Sequence, residues 1–147
     1  MRKRKEEKYS KKEPIYMIGA VSRMFNIHPQ TLRLYEREGL LTPSRTEGKT
    51  RLYSQEDIEK LEFILFLTRE LGVNLAGVDA ILRMKEQIEQ LQTQIDYLLN
   101  FIQEELQKKY EGDTEKQKNA LVKLSKVELI KVDEYMYNKY RAKDQEE

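Results

Sequence analysis

The most regular pattern in the chain is a seven-residue spacing of apolar side chains in its second half. Isoleucine repeats at this spacing, and leucine or methionine occupies the second seam position. The seam residues are Ile81, Met84, Ile88, Leu91, Ile95, Leu98 and Ile102. Because no Gly or Pro interrupts the heptads, the pattern favours a dimerising coiled-coil helix over an intramolecular hairpin. Ile at one seam position and Leu at the other favours two parallel strands, but one chain does not fix their orientation.

Two short helical patterns lie near the start of the chain. Apolar residues at helical spacing predict a helix over residues 18–25, and Asn26-Ile27-His28 interrupts it. Pro29 suits the first position of a second helix, which places His28 at the N-cap, and Gly39 suits the stop after Glu38. Two helices joined by about three residues predict a helix-turn-helix motif.

The segment after the second helix alternates polar turn residues with a short strand pattern. It predicts a hairpin with its tip near residues 47–49. Ser54 followed by Asp57 is a near capping box for a helix that ends at Gly72. Asn74 is then expected to cap the helix that carries the heptads.

The two ends of the chain differ from this middle part. Residues 1–14 are charged and lack apolar periodicity, which predicts a disordered basic arm. After Tyr110 the sequence is polar, as expected of a linker. Residues 121–140 fit both a strand alternation and a loose helical stripe, and these alternatives stay open. Their apolar residues indicate docking, on the chain's own dimer or on another protein.

Composition narrows the chemistry further. The chain has no cysteine and one histidine, which argues against disulfides, thiolate or histidine metal sites and metal or redox sensing. It has no Gly-rich phosphate loop and no catalytic constellation, so we expect no enzyme and no cofactor. The longest apolar stretch is far too short for a bilayer, and no signal region follows Met1, so a cytoplasmic protein without a membrane partner is expected.

Charge is unevenly distributed along the chain. Residues 1–53 carry 13 basic and 6 acidic side chains, whereas residues 54–147 carry 14 and 20. A basic front half suits a polyanion, although a solvated lysine-rich tail accounts for the charge equally well.

The second helix of the motif has two distinct sides. Leu32 and Tyr35 lie on the side that can pack against the first helix, and the opposite side carries Gln30, Arg33, Leu34 and Arg37. Arg can bind guanine, Gln can bind adenine, and an aliphatic group can meet a thymine methyl in the major groove. Taken alone, these residues fit a solvated helix better. The cationic hairpin that follows, with Arg45, Lys49 and Arg51, favours a DNA-binding helix with a phosphate-contacting wing.

Residues 18–64, IGAVSRMFNIHPQTLRLYEREGLLTPSRTEGKTRLYSQEDIEKLEFI, resemble the winged-helix domain of MerR-type transcription regulators. The matching features are TLR-x-Y-E-x-x-GLL-x-P-x-R, a wing glycine, RLYS and D-I-E-K-L. HPQTLRLYEREGLL and ELGVNLAGV are most similar to the HspR branch, the repressors of chaperone operons. The resemblance covers roughly residues 15–84, about half the chain.

This resemblance implies a homodimer joined by an antiparallel coiled coil, with one recognition helix per half of an inverted-repeat operator. It implies DNA contacts from Gln30, Thr31, Arg33, Leu34, Tyr35, Arg45 and Arg51. Leu34 stands where many relatives have Tyr, which makes an apolar base contact the better expectation there. The HspR likeness also implies the chaperone DnaK as co-repressor, with residues 121–140 as a docking candidate. With the flanking residues, the predicted DNA-contacting set is Arg23, His28, Gln30, Thr31, Arg33, Leu34, Tyr35, Arg37, Arg45, Lys49, Arg51 and Tyr53.

The expected architecture is therefore mainly α, a winged helix-turn-helix domain followed by a long dimerising coiled-coil helix. The expected boundaries are residues 1–14 for the arm, 15–84 for the DNA-binding domain, 85–110 for the coiled coil, and 111–147 for the linker and C-terminal segment. The leading hypothesis is a homodimeric repressor of heat-shock genes. The alternatives are a MerR-like regulator that responds to a small ligand and, in another class, a coiled-coil adaptor for RNA or protein.

Overall fold

The computed structural model describes residues 10–116, 118–119 and 131–141. These fall into two compact units, divided between Leu82 and Arg83. The described elements are β1 (Pro14–Met17), α1 (Ile18–Phe25), α2 (Pro29–Arg37), β2 (Ser44–Arg45), β3 (Arg51–Ser54), α3 (Gln55–Leu65), a π-helical turn (Phe66–Glu70), α4 (Leu75–Lys109) and α5 (Val132–Arg141). The expected class, mainly helical with a small wing and a long helix, is confirmed.

The predicted hairpin is present, but it belongs to a three-stranded antiparallel sheet with the order β1-β3-β2. We call the hairpin, residues 44–54, the wing. Its tip closes with the Thr46 amide donating to the Thr50 carbonyl at 3.0 Å, and Lys49 adopts a positive φ of 61°. Strand β1 was not predicted, because its pairing with β3 joins residues almost forty positions apart. It starts at Pro14, the last residue of the predicted arm, and residues 1–9 of that arm lie outside the described residues.

Local capping explains where the helices of the first unit begin. The Ser54 hydroxyl accepts from the Asp57 amide and the Asp57 carboxylate accepts from the Ser54 amide, which completes the predicted capping box. Asn74 Oδ1 accepts from the Gly77 amide at the start of α4, also as predicted. The helix expected to run to Gly72 is instead α3 followed by the π-helical turn, where the Leu71 amide donates to the Phe66 carbonyl.

The core of the first unit forms between the helix-turn-helix, the sheet and α3. It buries one apolar side of α2, the two leucines that follow α2, and the apolar residues of α3. The fully buried large side chains are Val21, Leu32, Leu40, Leu41, Tyr53, Leu61, Ile64, Leu67 and Val78. At about 25 cal/mol per Å² of apolar surface, this burial is the main force that holds α2 in place.

The second unit contains most of α4 and the helix α5. Within it, Lys85 of α4 lies 3.9 Å from the Asp133 carboxylate of α5. The sequence of residues 121–140 fits either a strand or a helix. Residues 132–140 of this segment lie in helix α5, and residues 121–130 lie outside the described residues. No helix in the described part of the chain is long and apolar enough to cross a membrane.

A candidate DNA-binding surface on α2 and the wing

Helix α2 begins as predicted, with an unusual cap. His28 is the N-cap and its Nδ1 accepts a hydrogen bond from the Gln30 amide at 3.1 Å. Pro29 occupies the first helical position, where its missing amide hydrogen leaves no donor unsatisfied. The imidazole therefore caps the backbone of α2, and the Thr31 amide donates to the His28 carbonyl at 2.9 Å. The positive end of the helix dipole lies at this helix start.

Arg69, which no sequence pattern pointed to, stabilises the turn between α1 and α2. Asn26 adopts the left-handed conformation, with φ at 49°, and the Ile27 amide donates to the Ser22 carbonyl at 3.0 Å. The guanidinium of Arg69 donates to the carbonyls of Phe25 and Asn26, both at 3.4 Å. Arg69 thus stabilises the C-terminal end of α1 from the π-helical turn, more than forty residues away.

The two sides of α2 separate as the helical wheel predicts. Leu32 and Tyr35 are buried against the core. Gln30, Arg33 and Arg37 are exposed, and Thr31 and Leu34 are half-buried beside them. The exposed side is a polar face about two turns long, flanked by His28 at its start. Arg23, also exposed, lies near the end of α1.

The wing carries three cations, Arg45, Lys49 and Arg51. Arg45 and Lys49 are exposed and Arg51 is half-buried. Arg45 and Arg51 are direct cross-strand partners in the β2–β3 ladder. Nη1 of Arg45 also donates to the Lys49 carbonyl at 3.4 Å, which ties the base of the wing to its tip.

Two tyrosines of the predicted set do not reach this surface. Tyr53 has no exposed area and Tyr35 only 5%. The Tyr53 hydroxyl has no hydrogen-bond partner among the described residues, and burial raises its pKa. Their assignment as DNA contacts is therefore corrected: in this conformation both are packing residues, because their rings fill the space under α2 and β3. A single sequence does not distinguish a buried Tyr from an exposed one.

A carboxylate that sequence reasoning missed lies in the middle of the cationic surface. Glu36 of α2 accepts a hydrogen bond from Arg45 Nη2 at 2.8 Å and another from Arg51 Nε. Burial alone would raise the pKa of Glu36, but the hydrogen bonds and charges of Arg51 and Arg45 together outweigh it and hold the pKa below its usual value. Glu36 is therefore ionised near neutral pH. It links α2 to both strands of the wing.

Part of the chain matches a known protein family. The profile of the MerR helix-turn-helix family of regulatory proteins matches residues 16–85. The chain is 40% identical over 91 residues to a Streptomyces coelicolor protein named heat shock protein HspR. This match covers 62% of this chain and 60% of that protein. It is 38% identical over 73 residues to the regulator GlnR of Bacillus anthracis, half of this chain and 56% of that protein. The chain thus matches less than two thirds of the length of these relatives.

Among solved structures, the chain is similar to HiNmlR, described as a MerR family regulator lacking the sensor domain and bound to promoter DNA. It is 21% identical, with a TM-score of 0.41 over 59% of this chain and 77% of that one. A MerR family regulator from Bacillus cereus is 24% identical, with a TM-score of 0.41 over 67% of this chain and 84% of that one. The family match agrees with the expectation of a regulatory protein rather than an enzyme.

Proposed function

Residues 16–85 form a MerR-family helix-turn-helix domain, and from this premise we propose that the chain is a homodimeric repressor of heat-shock genes that binds an inverted-repeat operator. The observation that carries the DNA-binding step is the exposed polar face of α2, which lies beside a wing whose arginines are held to the same helix. A regulator of transcription works where the chromosome lies, so the proposal includes a cytoplasmic location.

The proposal divides the exposed residues of the first unit between two kinds of contact. Gln30, Arg33 and Arg37 project from the face of α2 and have the donors and acceptors that base edges require. Leu34, half-buried among them, suits a thymine methyl. Thr31, His28 and the start of α2 suit a phosphate, since the Thr31 hydroxyl and the positive end of the helix dipole lie there. Arg23, Arg45, Lys49 and Arg51 supply further cations for the sugar-phosphate backbone.

Support for the dimer comes from one exposed stripe on α4. Six seam residues of the second unit are each between 39% and 57% exposed and none is buried: Met84, Ile88, Leu91, Ile95, Leu98 and Ile102. Aliphatic residues exposed at heptad spacing require a partner helix to leave water. Ile81, at the start of the stripe, is half-buried. A symmetric dimer would present two copies of α2, which matches the two-fold symmetry of an inverted repeat.

The contact to α5 lies next to the seam on α4. Lys85, which pairs with Glu89 and approaches Asp133, lies one position beyond the seam residue Met84 and is largely covered. Gln92, Leu99 and Leu106 continue this covered line at seven-residue spacing. Lys85 thus lies about 100° around the helix from Met84, at the edge of the seam, where a partner helix would pass close to the Lys85–Asp133 contact.

The heat-shock assignment rests on the 40% identity to the protein named HspR. With it comes DnaK as the proposed co-repressor, for which residues 121–140 are the candidate docking segment. In the described part of that region, α5 presents Tyr135 at 53% exposure. The small-ligand alternative gains no specific observation from the described residues.

Selection of operator DNA tests the proposal most directly. The purified full-length chain is incubated with a pool of random duplexes, and the bound fraction is sequenced over successive rounds. Enrichment of an inverted repeat present upstream of chaperone genes is expected. Enrichment of no sequence would contradict operator-specific binding, and enrichment of a repeat found only near unrelated genes would contradict the heat-shock assignment.

A further inference from the structure

Glu36 is an acidic residue on a surface proposed to meet the phosphates of DNA. Its side chain is only 21% exposed, and each of its two oxygens accepts from a different arginine of the wing. By charge alone, a carboxylate here opposes binding, since it repels phosphate and neutralises cations that would otherwise attract it. Its position therefore calls for another explanation.

The register of the wing shows what Glu36 does locally. Arg45 and Arg51 are direct partners across β2 and β3, so two like charges stand opposite each other. Like charges directly opposite each other destabilise a pair of antiparallel strands. The carboxylate lies within hydrogen-bond reach of both guanidinium groups and offsets their repulsion. Because Glu36 belongs to α2, the same contacts also set the position of the wing arginines relative to the base-reading face.

The arginines keep donors for a second partner while they hold Glu36. Arg51 gives its Nε–H to the carboxylate, which leaves the two terminal nitrogens outside that bond. Arg45, whose side chain is 43% exposed, gives one hydrogen from each terminal nitrogen to Glu36 and the Lys49 carbonyl. A planar guanidinium held in this way presents its remaining hydrogens in a fixed direction, which reduces the entropy lost when a phosphate binds.

We propose that Glu36 is a positioning residue that orients Arg45 and Arg51 for backbone phosphates, so that its carboxylate raises operator affinity despite its negative charge. This inference rests on the proposed DNA-binding function. Charge alone predicts that removing an acid from a DNA-facing surface strengthens DNA binding. Our proposal predicts that removing Glu36 weakens it.

The test compares Glu36→Gln with Glu38→Gln. Both substitutions remove one negative charge from the end of α2, but Glu38 is exposed and holds neither wing arginine. The probes are a duplex enriched by the wild-type chain from a random pool and a scrambled duplex of equal length. For Glu36→Gln we expect affinity for the enriched duplex to fall about tenfold, an effect in the range of one well-formed charged contact. Glu38→Gln should bind equally or slightly more tightly.

The salt dependence of DNA affinity is a second measurement. It would not change in Glu36→Gln if the role of Glu36 were purely structural. If the arginines no longer bind their phosphates, the slope of log affinity against log salt should become shallower by about one for each arginine–phosphate interaction that is removed. In the Arg45→Gln/Arg51→Gln background, Glu36→Gln should cause no further loss. A tenfold loss that persists in this background would overturn the inference, because Glu36 would then act through other residues.

Folding is checked by circular dichroism on each variant. Should Glu36→Gln not fold, Arg45→Lys/Arg51→Lys replaces it, because lysine keeps both charges but lacks the forked donors. The inference expects the same loss of affinity from this pair, and unchanged affinity would overturn it. Failure of the wild-type chain to enrich any duplex would instead refute the proposed function. Enrichment with equal affinity for Glu36→Gln and Glu38→Gln would refute only the role of Glu36.

Discussion

Glu36 of α2 accepts a hydrogen bond from the Nε–H of Arg51 in β3, and this ion pair joins α2 to the wing. Fifteen residues separate the two in sequence, and the helix and strand that carry them are connected by a segment rich in turns. With Arg45 on the other carboxylate oxygen, the pair fixes the wing arginines and the exposed face of α2 as one surface.

The first prediction concerns how this pair responds to pH. Burial raises the pKa of Glu36 and the two arginines lower it by more, so its folded pKa lies below the usual 4.5. A depressed carboxylate pKa contributes stability that is present above the unfolded pKa and lost as pH falls through the folded pKa. The difference in melting temperature between wild type and Glu36→Gln should be largest near neutral pH and shrink as the solution is acidified below about pH 4. Glu38→Gln serves as the control. A difference that stays constant across this range would contradict the ion-pair account.

Arg33 is an exposed candidate for reading a base from the middle of α2. Replacement with alanine should cost about 1–3 kcal/mol on the selected operator and relax base preference at one position. Binding to a panel of single-base operator variants measures both effects. Equal loss on every sequence would identify Arg33 as a phosphate anchor instead. Arg45→Ala gives the contrast, since it should weaken binding to all duplexes and reduce the salt slope.

Tyr53 tests whether a fully buried tyrosine of the first unit contributes to DNA binding. Its hydroxyl is buried without a partner among the described residues, so Tyr53→Phe removes a desolvated polar group and keeps the ring. We expect operator affinity to be unchanged and the free energy of unfolding to stay level or rise by up to about 1 kcal/mol. Chemical denaturation and a binding titration measure the two quantities. A clear loss of affinity would restore Tyr53 as a DNA contact.

Ile95 lies at the centre of the exposed stripe on α4. An aspartate there would place a charge in each half of a dimer interface, so Ile95→Asp should give monomers of about 17.6 kDa by light scattering. Asn100→Asp introduces the same charge on an exposed position outside the seam and should leave the dimer intact. Retention of the dimer by Ile95→Asp would show that the seam assignment is wrong.

Removal of residues 111–147 tests the proposed link to DnaK. The truncated chain retains the DNA-binding domain and the whole of α4, so its basal operator affinity should equal that of the full chain. Added DnaK should tighten operator binding by the full chain only, as measured by fluorescence anisotropy. Lower basal affinity after truncation would indicate that the C-terminal region is structural.

The sequence by itself determined the features that depend on neighbouring residues. The capping box at Ser54 and Asp57, the start of α2 at Pro29 and the cap at Asn74 each join groups within a few positions, and all were predicted. The long helix α4 was also predicted, because heptad spacing repeats along one chain segment.

Tertiary structure decided what depends on residues far apart in sequence. Strand β1 has no strong local pattern and exists because it pairs with β3. Tyr35 and Tyr53 carry polar groups that suit a binding surface, yet their rings complete the core. Glu36 resembles any other charge on an amphipathic helix, and only the return of the wing brings Arg45 and Arg51 to its two oxygens. Local patterns specify helices and their ends, whereas the choice of which polar side chain is buried, paired or exposed is made by packing between elements.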